Sequence, residues 1–173
     1  MKTQINVKKI IGAIMAVSIL LFGVGCSILD ETGPQNQAEA NAVKFLESKF
    51  DGDAQKCIDL MLDELVSAVI DEGGYETENV LVYALDKQFD SSIKDYKDEY
   101  GKKWEYEISI IDSYEIASLE GFEECECVEV VLNVQHEGRK LLFFKVDGSE
   151  EIKIQMMKKN NSWYVWGASF VLI

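Results

Sequence analysis

The chain has one histidine and one arginine, and they stand three residues apart in His136-Glu137-Gly138-Arg139. An imidazole beside a guanidinium would let a base take a proton while a fixed cation holds an anionic substrate. The Glu-Gly pair between them reads as a turn, so a solvated hairpin tip is the expectation for both residues. Three thiols, Cys57, Cys125 and Cys127, offer a second chemistry. Two positions apart on a strand, Cys125 and Cys127 would share a face and could not easily bridge each other; either could bridge Cys57 on a covering helix, or all could pack in a core. Cys-x-Cys is not a redox Cys-x-x-Cys, and a single histidine excludes a histidine-rich zinc site. The acidic runs Asp51-Gly52-Asp53 and Asp147-Gly148-Ser149-Glu150-Glu151 could offer oxygens to calcium, but neither has the ligand spacing of a calcium loop, and capping and turn chemistry explains both. No catalytic residue, metal or cofactor is assigned on these grounds.

The N-terminus carries chemistry of another kind. Lys2, Lys8 and Lys9 precede an apolar run from Ile10 to Val24, the layout of a secretory signal and short for a membrane-spanning helix. Gly23-Val24-Gly25-Cys26 follows, and it resembles the lipobox of bacterial lipoproteins, in which a Cys thiol takes a diacylglyceryl group before cleavage on its N-terminal side. Leu is usual three residues before the Cys, where this chain has Gly23. Gly23-x-Gly25 also satisfies the small-x-small rule of ordinary signal cleavage, so plain secretion is the competing reading. The signal is expected over residues 1–25 and the polar stretch holding Pro34 as a flexible tether over residues 26–36; the resemblance implies a lipid attached to Cys26 and a domain held on the extracytoplasmic face of the cell membrane. Two or more acyl chains make such an anchor stable.

Along the rest of the chain, helical spacing comes first. Asn36 and Glu39 have capping-box spacing ahead of Ala38, Ala42, Val43, Leu46 and Phe50. Asp51-Gly52-Asp53 ends that helix and starts a second, with one apolar stripe from Cys57 through Val69. A third runs from Thr77 to Gly101, with a kink or break expected at Asp90-Ser91-Ser92. From Lys102 the period changes to two, through Trp104 to Ile110, Val128 to Val134 and Ile152 to Met156, with turns expected at Glu137-Gly138, Asp147-Gly148 and Asn160-Asn161. Residues 37–173 are therefore expected to form one α+β domain, N-terminal helices packed on a curved C-terminal antiparallel sheet.

That order, ending in Lys158-Lys159-Asn160-Asn161-Ser162-Trp163-Tyr164-Val165-Trp166, resembles the nuclear transport factor 2-like, cystatin-like superfamily, and in particular its small lipid-anchored bacterial members. The resemblance implies a cone-shaped fold that hosts isomerases, dehydratases and many non-catalytic modules, so fold alone does not name an activity. In isomerase members, carboxylates inside the cone shuttle protons; Glu129 is the strand acid to consider, and no such role is transferred to it.

Composition narrows the partners. Beyond the signal the chain carries 14 Lys and Arg against 31 Asp and Glu, a formal −17, which argues against nucleic acid and anionic headgroups. Tyr164, Trp166 and Phe170 would share one side of the last strand, as core or as an exposed surface for an envelope protein or a small apolar ligand. The expected function is a lipid-anchored binding or accessory module, with a small cone-fold enzyme acting on an apolar ligand as the alternative.

Overall fold

The computed structural model describes residues 33–118, 122, 124–140 and 144–168. Residues 1–25, where a signal is expected, together with Cys26 and Phe170, lie outside the described residues.

The first helix, α1 (Gln37–Asp51), starts as its sequence predicts. The Asn36 side chain accepts from the Glu39 N–H at 3.0 Å, and the Glu39 carboxylate reaches back to the Gln35 N–H at 2.7 Å. Gly52 closes it at φ 76°, a left-handed cap that suits glycine. Ala38, Ala42, Phe45, Leu46 and Phe50 form its buried stripe. The next apolar stripe is not one helix. It is α2 (Ala54–Asp59) and α3 (Asp63–Gly73), separated by an extended link. There Leu62 N–H donates to the Val165 carbonyl at 3.0 Å and Val165 N–H to the Leu60 carbonyl at 2.8 Å. Met61 and Leu62 are buried at this junction. No Gly or Pro marks the break, because pairing with a distant strand and burial of two large side chains outweigh local helix preference. Conversely α4 (Glu78–Tyr100) runs unbroken through Asp90-Ser91-Ser92, where a kink or break was expected. The weak helix formers there cost only tenths of a kcal/mol each, and Leu81, Leu85 and Phe89 anchor the same helix in the core.

The second half is a four-stranded antiparallel meander, β1 (Glu105–Glu115), β2 (Cys127–Lys140), β3 (Phe144–Lys159) and β4 (Ser162–Ala168), in the order β1-β2-β3-β4. Asn160 and Asn161 make the β3–β4 turn with φ of 52° and 64°, as expected of an Asn-Asn hairpin. The other two expected turns are strand. Glu137 pairs with Asp147 and Gly138 with Val146, rungs of the β2–β3 ladder near its hairpin end. Those glycines serve close packing: a Cβ on Gly138 would lie 2.1 Å from the Tyr100 carbonyl oxygen, and one on Gly148 2.5 Å from the Tyr100 hydroxyl. The end of α4 therefore rests directly on β2 and β3.

Alternation then sorts the sheet. Val130, Leu132, Val134, His136, Ile152, Ile154 and Met156 are buried on the helix side, whereas Glu129, Asn133 and Gln135 lie on the other face. Register shifts at Ile110/Asp112 and Gln155/Met156 add local twist and reset the alternation in the edge strands. The architecture is α+β, helices first and sheet second, as the sequence predicts.

Candidate functional site

The most concentrated chemistry lies where α4, the start of β1, β2 and β3 meet. On β2, His136 sits directly opposite Tyr106 of β1 and Gly148 of β3, and Glu150 follows two residues along on the same face. Tyr96 and Tyr100, one turn apart on α4, and Phe50 of α1 complete the wall. Tyr96 and Tyr100 stack on the imidazole at ring separations of 4.7 and 5.2 Å, and Phe50 meets it edge-on at 5.7 Å. The imidazole is 2% exposed. The expected solvated tip is thus overturned: because Gly138 and Gly148 let α4 close onto the sheet, the strand continues and carries His136 inside.

Three hydrogen bonds define its state. Trp104 Nε1–H donates to His136 Nδ1 at 3.1 Å, and Nε2 lies 3.0 Å from Glu150 Oε1, which also accepts from the Tyr96 hydroxyl at 2.9 Å. Indole nitrogen is a donor only, so Nδ1 must accept, the ring proton sits on Nε2, and Nε2–H donates to an ionised Glu150. The hydrogen bond from His136 holds the Glu150 carboxyl below the usual carboxylate range against the opposing effect of desolvation, with help from Tyr96 and the nearby Lys49 charge. Burial, then the Glu150 charge and hydrogen bond, push the Tyr96 phenol up. Burial pushes the Lys49 ammonium down, partly offset by Glu150. Tyr106 donates to Asp51 at 2.7 Å at the edge of the same cluster.

A histidine–carboxylate pair is the hardware of a proton relay, yet here both ring nitrogens are engaged by the protein and the ring is enclosed. No lone pair is left for a substrate. Arg139 is not brought to it, since an odd number of strand positions puts the two on opposite faces; Arg139 is exposed.

The thiols scatter. Cys57 is fully buried, donates to the Phe45 carbonyl at 3.4 Å, and is pushed up to about 12 by desolvation, which makes it a poor nucleophile. Cys125 is half-buried and lies before β2, in a turn where its N–H donates to the Phe122 carbonyl at 2.9 Å, so strand alternation does not relate it to Cys127. Cys127 is buried in the same core cluster as Cys57. Among the acidic runs, Asp53 caps α2 through the Lys56 N–H at 3.1 Å, and the run from Asp147 to Glu151 is part of β3. Among the described residues no group of three or more His, Cys, Asp or Glu could hold a metal ion.

In the last strand Trp166 is 4% exposed and packs on Phe122 at 5.1 Å, while Tyr164 is half-buried. The bulge opposite Met156 breaks the simple alternation that linked the two. On the open face, Tyr114 donates to Glu129, which raises the phenol to about 12, and Lys153 lies 3.6 Å from the same carboxylate. An open groove of about 310 Å³ lies along α1 and α2, lined by Lys44, Glu47, Ser48, Asp51, Lys56, Asp59 and Leu60. Four of its polar groups are already engaged, Ser48 with Lys44, Asp51 with Tyr106, Asp59 with Gln55 and Lys56 with Asp53.

Among the described residues no helix is long and apolar enough to cross a membrane. The sequence reading placed Phe50 and Trp104 in apolar patterns and Glu150 in an acidic turn, and gave none of them, nor Tyr96 or Tyr106, a place beside His136; the available signal was the density of aromatic residues from Tyr96 to Tyr106 on either side of Gly101. No known protein family, curated protein or solved structure matches this chain.

Proposed function

We propose that this chain is a lipid-anchored module on the extracytoplasmic face of the cell membrane, attached through Cys26, and that it acts by binding, with a nuclear transport factor 2-like cone as its scaffold. The observation that carries the binding half is the enclosure of the His136 ring, 2% exposed, although the Glu150 carboxylate beside it reaches solvent. The one imidazole in the chain is spent inside the core on Trp104 and Glu150, so the best general-base candidate serves packing and orientation. The anchoring half rests on Lys2, Lys8 and Lys9, the apolar run and Gly23-Val24-Gly25-Cys26. The ligand is an envelope protein or a small apolar molecule.

Intact mass and detergent partitioning of the chain from its own membranes test the anchor. A lipid-sized mass increment that disappears in Cys26→Ala supports it; an unmodified chain in the aqueous phase replaces it with ordinary secretion. Capture by the purified protein from envelope extract tests binding. Turnover of an apolar carbonyl or hydroxy compound that is abolished by Glu150→Gln would instead favour the enzyme.

A further inference from the structure

The acidity of the chain is not evenly spread over the fold. Past the cross-strand rung Glu137–Asp147, the β2–β3 hairpin carries Arg139, Lys140 and Lys145 and no acid, and the α4–β1 turn adds Lys102 and Lys103. The two segments lie against one another, since a Cβ on Gly101 would come within 2.2 Å of the Arg139 carbonyl oxygen. All five basic side chains are exposed. They are five of the 17 Lys and Arg in the whole chain, gathered at one end of the sheet. Beside them Phe144, paired with Lys140, is 67% exposed, more than any other large hydrophobic residue described. Lys145 also contacts Glu137 at 2.8 Å, but both partners are more than half exposed and such a pair opens readily.

We propose that this end of the molecule docks on an anionic lipid surface, with Lys102, Lys103, Arg139, Lys140 and Lys145 on the headgroups and Phe144 in the interface. Lys140 shares its strand face with Phe144, and Arg139 and Lys145 project from the other, so basic side chains flank the exposed ring on both faces of the hairpin end, the combination that suits a surface charged outside and apolar beneath. A soluble polyanion would satisfy the charges and leave Phe144 in water. The net negative charge does not forbid this, because a strand of the length of β3 spans about 50 Å, whereas charges are screened within about 8–10 Å at physiological salt. Placement of a bilayer nearby rests on the anchored reading above. The described chain begins beside the opposite end of β3, where the Asn41 side chain donates to the Trp163 carbonyl at 2.7 Å. A tether over residues 26–36 reaches about 40 Å at most, so a domain held at both ends would lie tilted against the membrane, and the tether would raise the effective concentration of the second contact.

The test is hydrogen–deuterium exchange on the full chain, reconstituted with vesicles of phosphatidylcholine alone or mixed with phosphatidylglycerol. Residues 138–140 and 144–146 are expected to exchange roughly tenfold more slowly on the anionic vesicles, and about 0.5 M salt should remove the difference. Both Lys102→Glu/Lys103→Glu and Phe144→Ser should abolish it while exchange across Ile152 to Met157 stays unchanged, which shows that the variants remain folded. Equal exchange on both vesicle types, or slowing that survives both variants, overturns the proposal. The same slowing by a soluble polyphosphate overturns the lipid assignment in favour of a polyanion. Failure of the anchor looks different: a full chain without lipid mass that does not associate with neutral vesicles.

Discussion

Trp104→Phe probes the buried centre most directly. The substitution keeps an aromatic ring beside Tyr96, to which Trp104 is stacked at 4.9 Å, and removes the one donor to His136 Nδ1. That acceptor belongs to a side chain only 2% exposed, so water cannot replace the lost N–H. A buried acceptor left without a partner costs about 1–3 kcal/mol. Urea unfolding should therefore show a midpoint lowered by about 1 M with the slope unchanged, given slopes of about 1–3 kcal/mol/M. Because the chain has one histidine, ¹⁵N signals from the imidazole come from His136 alone and report its tautomer without assignment. Wild type should show the proton on Nε2, and the variant a loss of that fixed tautomer. A loss of stability under about 0.5 kcal/mol together with an unchanged tautomer would refute the hydrogen-bond argument and leave only ring packing.

Glu150→Gln should destabilise by about 1 kcal/mol at neutral pH, after discounting for solvent screening of a carboxylate that is partly exposed. Since the folded pKa of Glu150 is depressed, its contribution is present above the unfolded value of about 4.3 and lost as pH falls through the folded one, so wild type and variant should converge in acid melts. Gly138→Ala drives a Cβ into the Tyr100 backbone and should cost more than about 2 kcal/mol, or detach the end of α4, seen as faster amide exchange at Tyr100 and Gly101. A disulfide reagent at mildly alkaline pH should leave Cys57 unmodified until denaturant is added, in keeping with its raised pKa and burial. Leu132→Ala, on a side chain with no exposure, should lower stability by about 2–5 kcal/mol in the same unfolding assay.

Much of the fold was legible in the sequence wherever local chemistry and tertiary packing agreed. Asn36 with Glu39 wrote the start of α1, Gly52 its end, and Asn160-Asn161 the last hairpin, because each of those signals is satisfied within a few residues. What was not legible involved partners far along the chain. Gly138 and Gly148 look like turn residues to a local reading, and only the approach of Tyr100 explains why they are glycine. The break between α2 and α3 has no local mark, since Val165 causes it. His136 was misplaced for the same reason: once the turn moved, a residue expected at a tip became buried, and its partners came from α1, α4, the start of β1 and β3. The different burial of Tyr164 and Trp166 likewise escaped the period-two pattern, because the bulge opposite Gln155 and Met156 shifts Trp166 out of phase with Tyr164.

The link from Leu60 to Leu62 along β4 has a consequence for timing. Met61 bridges Val165, and the Asn41 side chain needs the Trp163 carbonyl, so the first helices are stitched to the last strand across more than a hundred residues. Contacts that distant are slow to form, as a long loop must close before they give any return. A chain emerging from its N-terminus would therefore keep its first helices loosely held until the last strand was available to receive them.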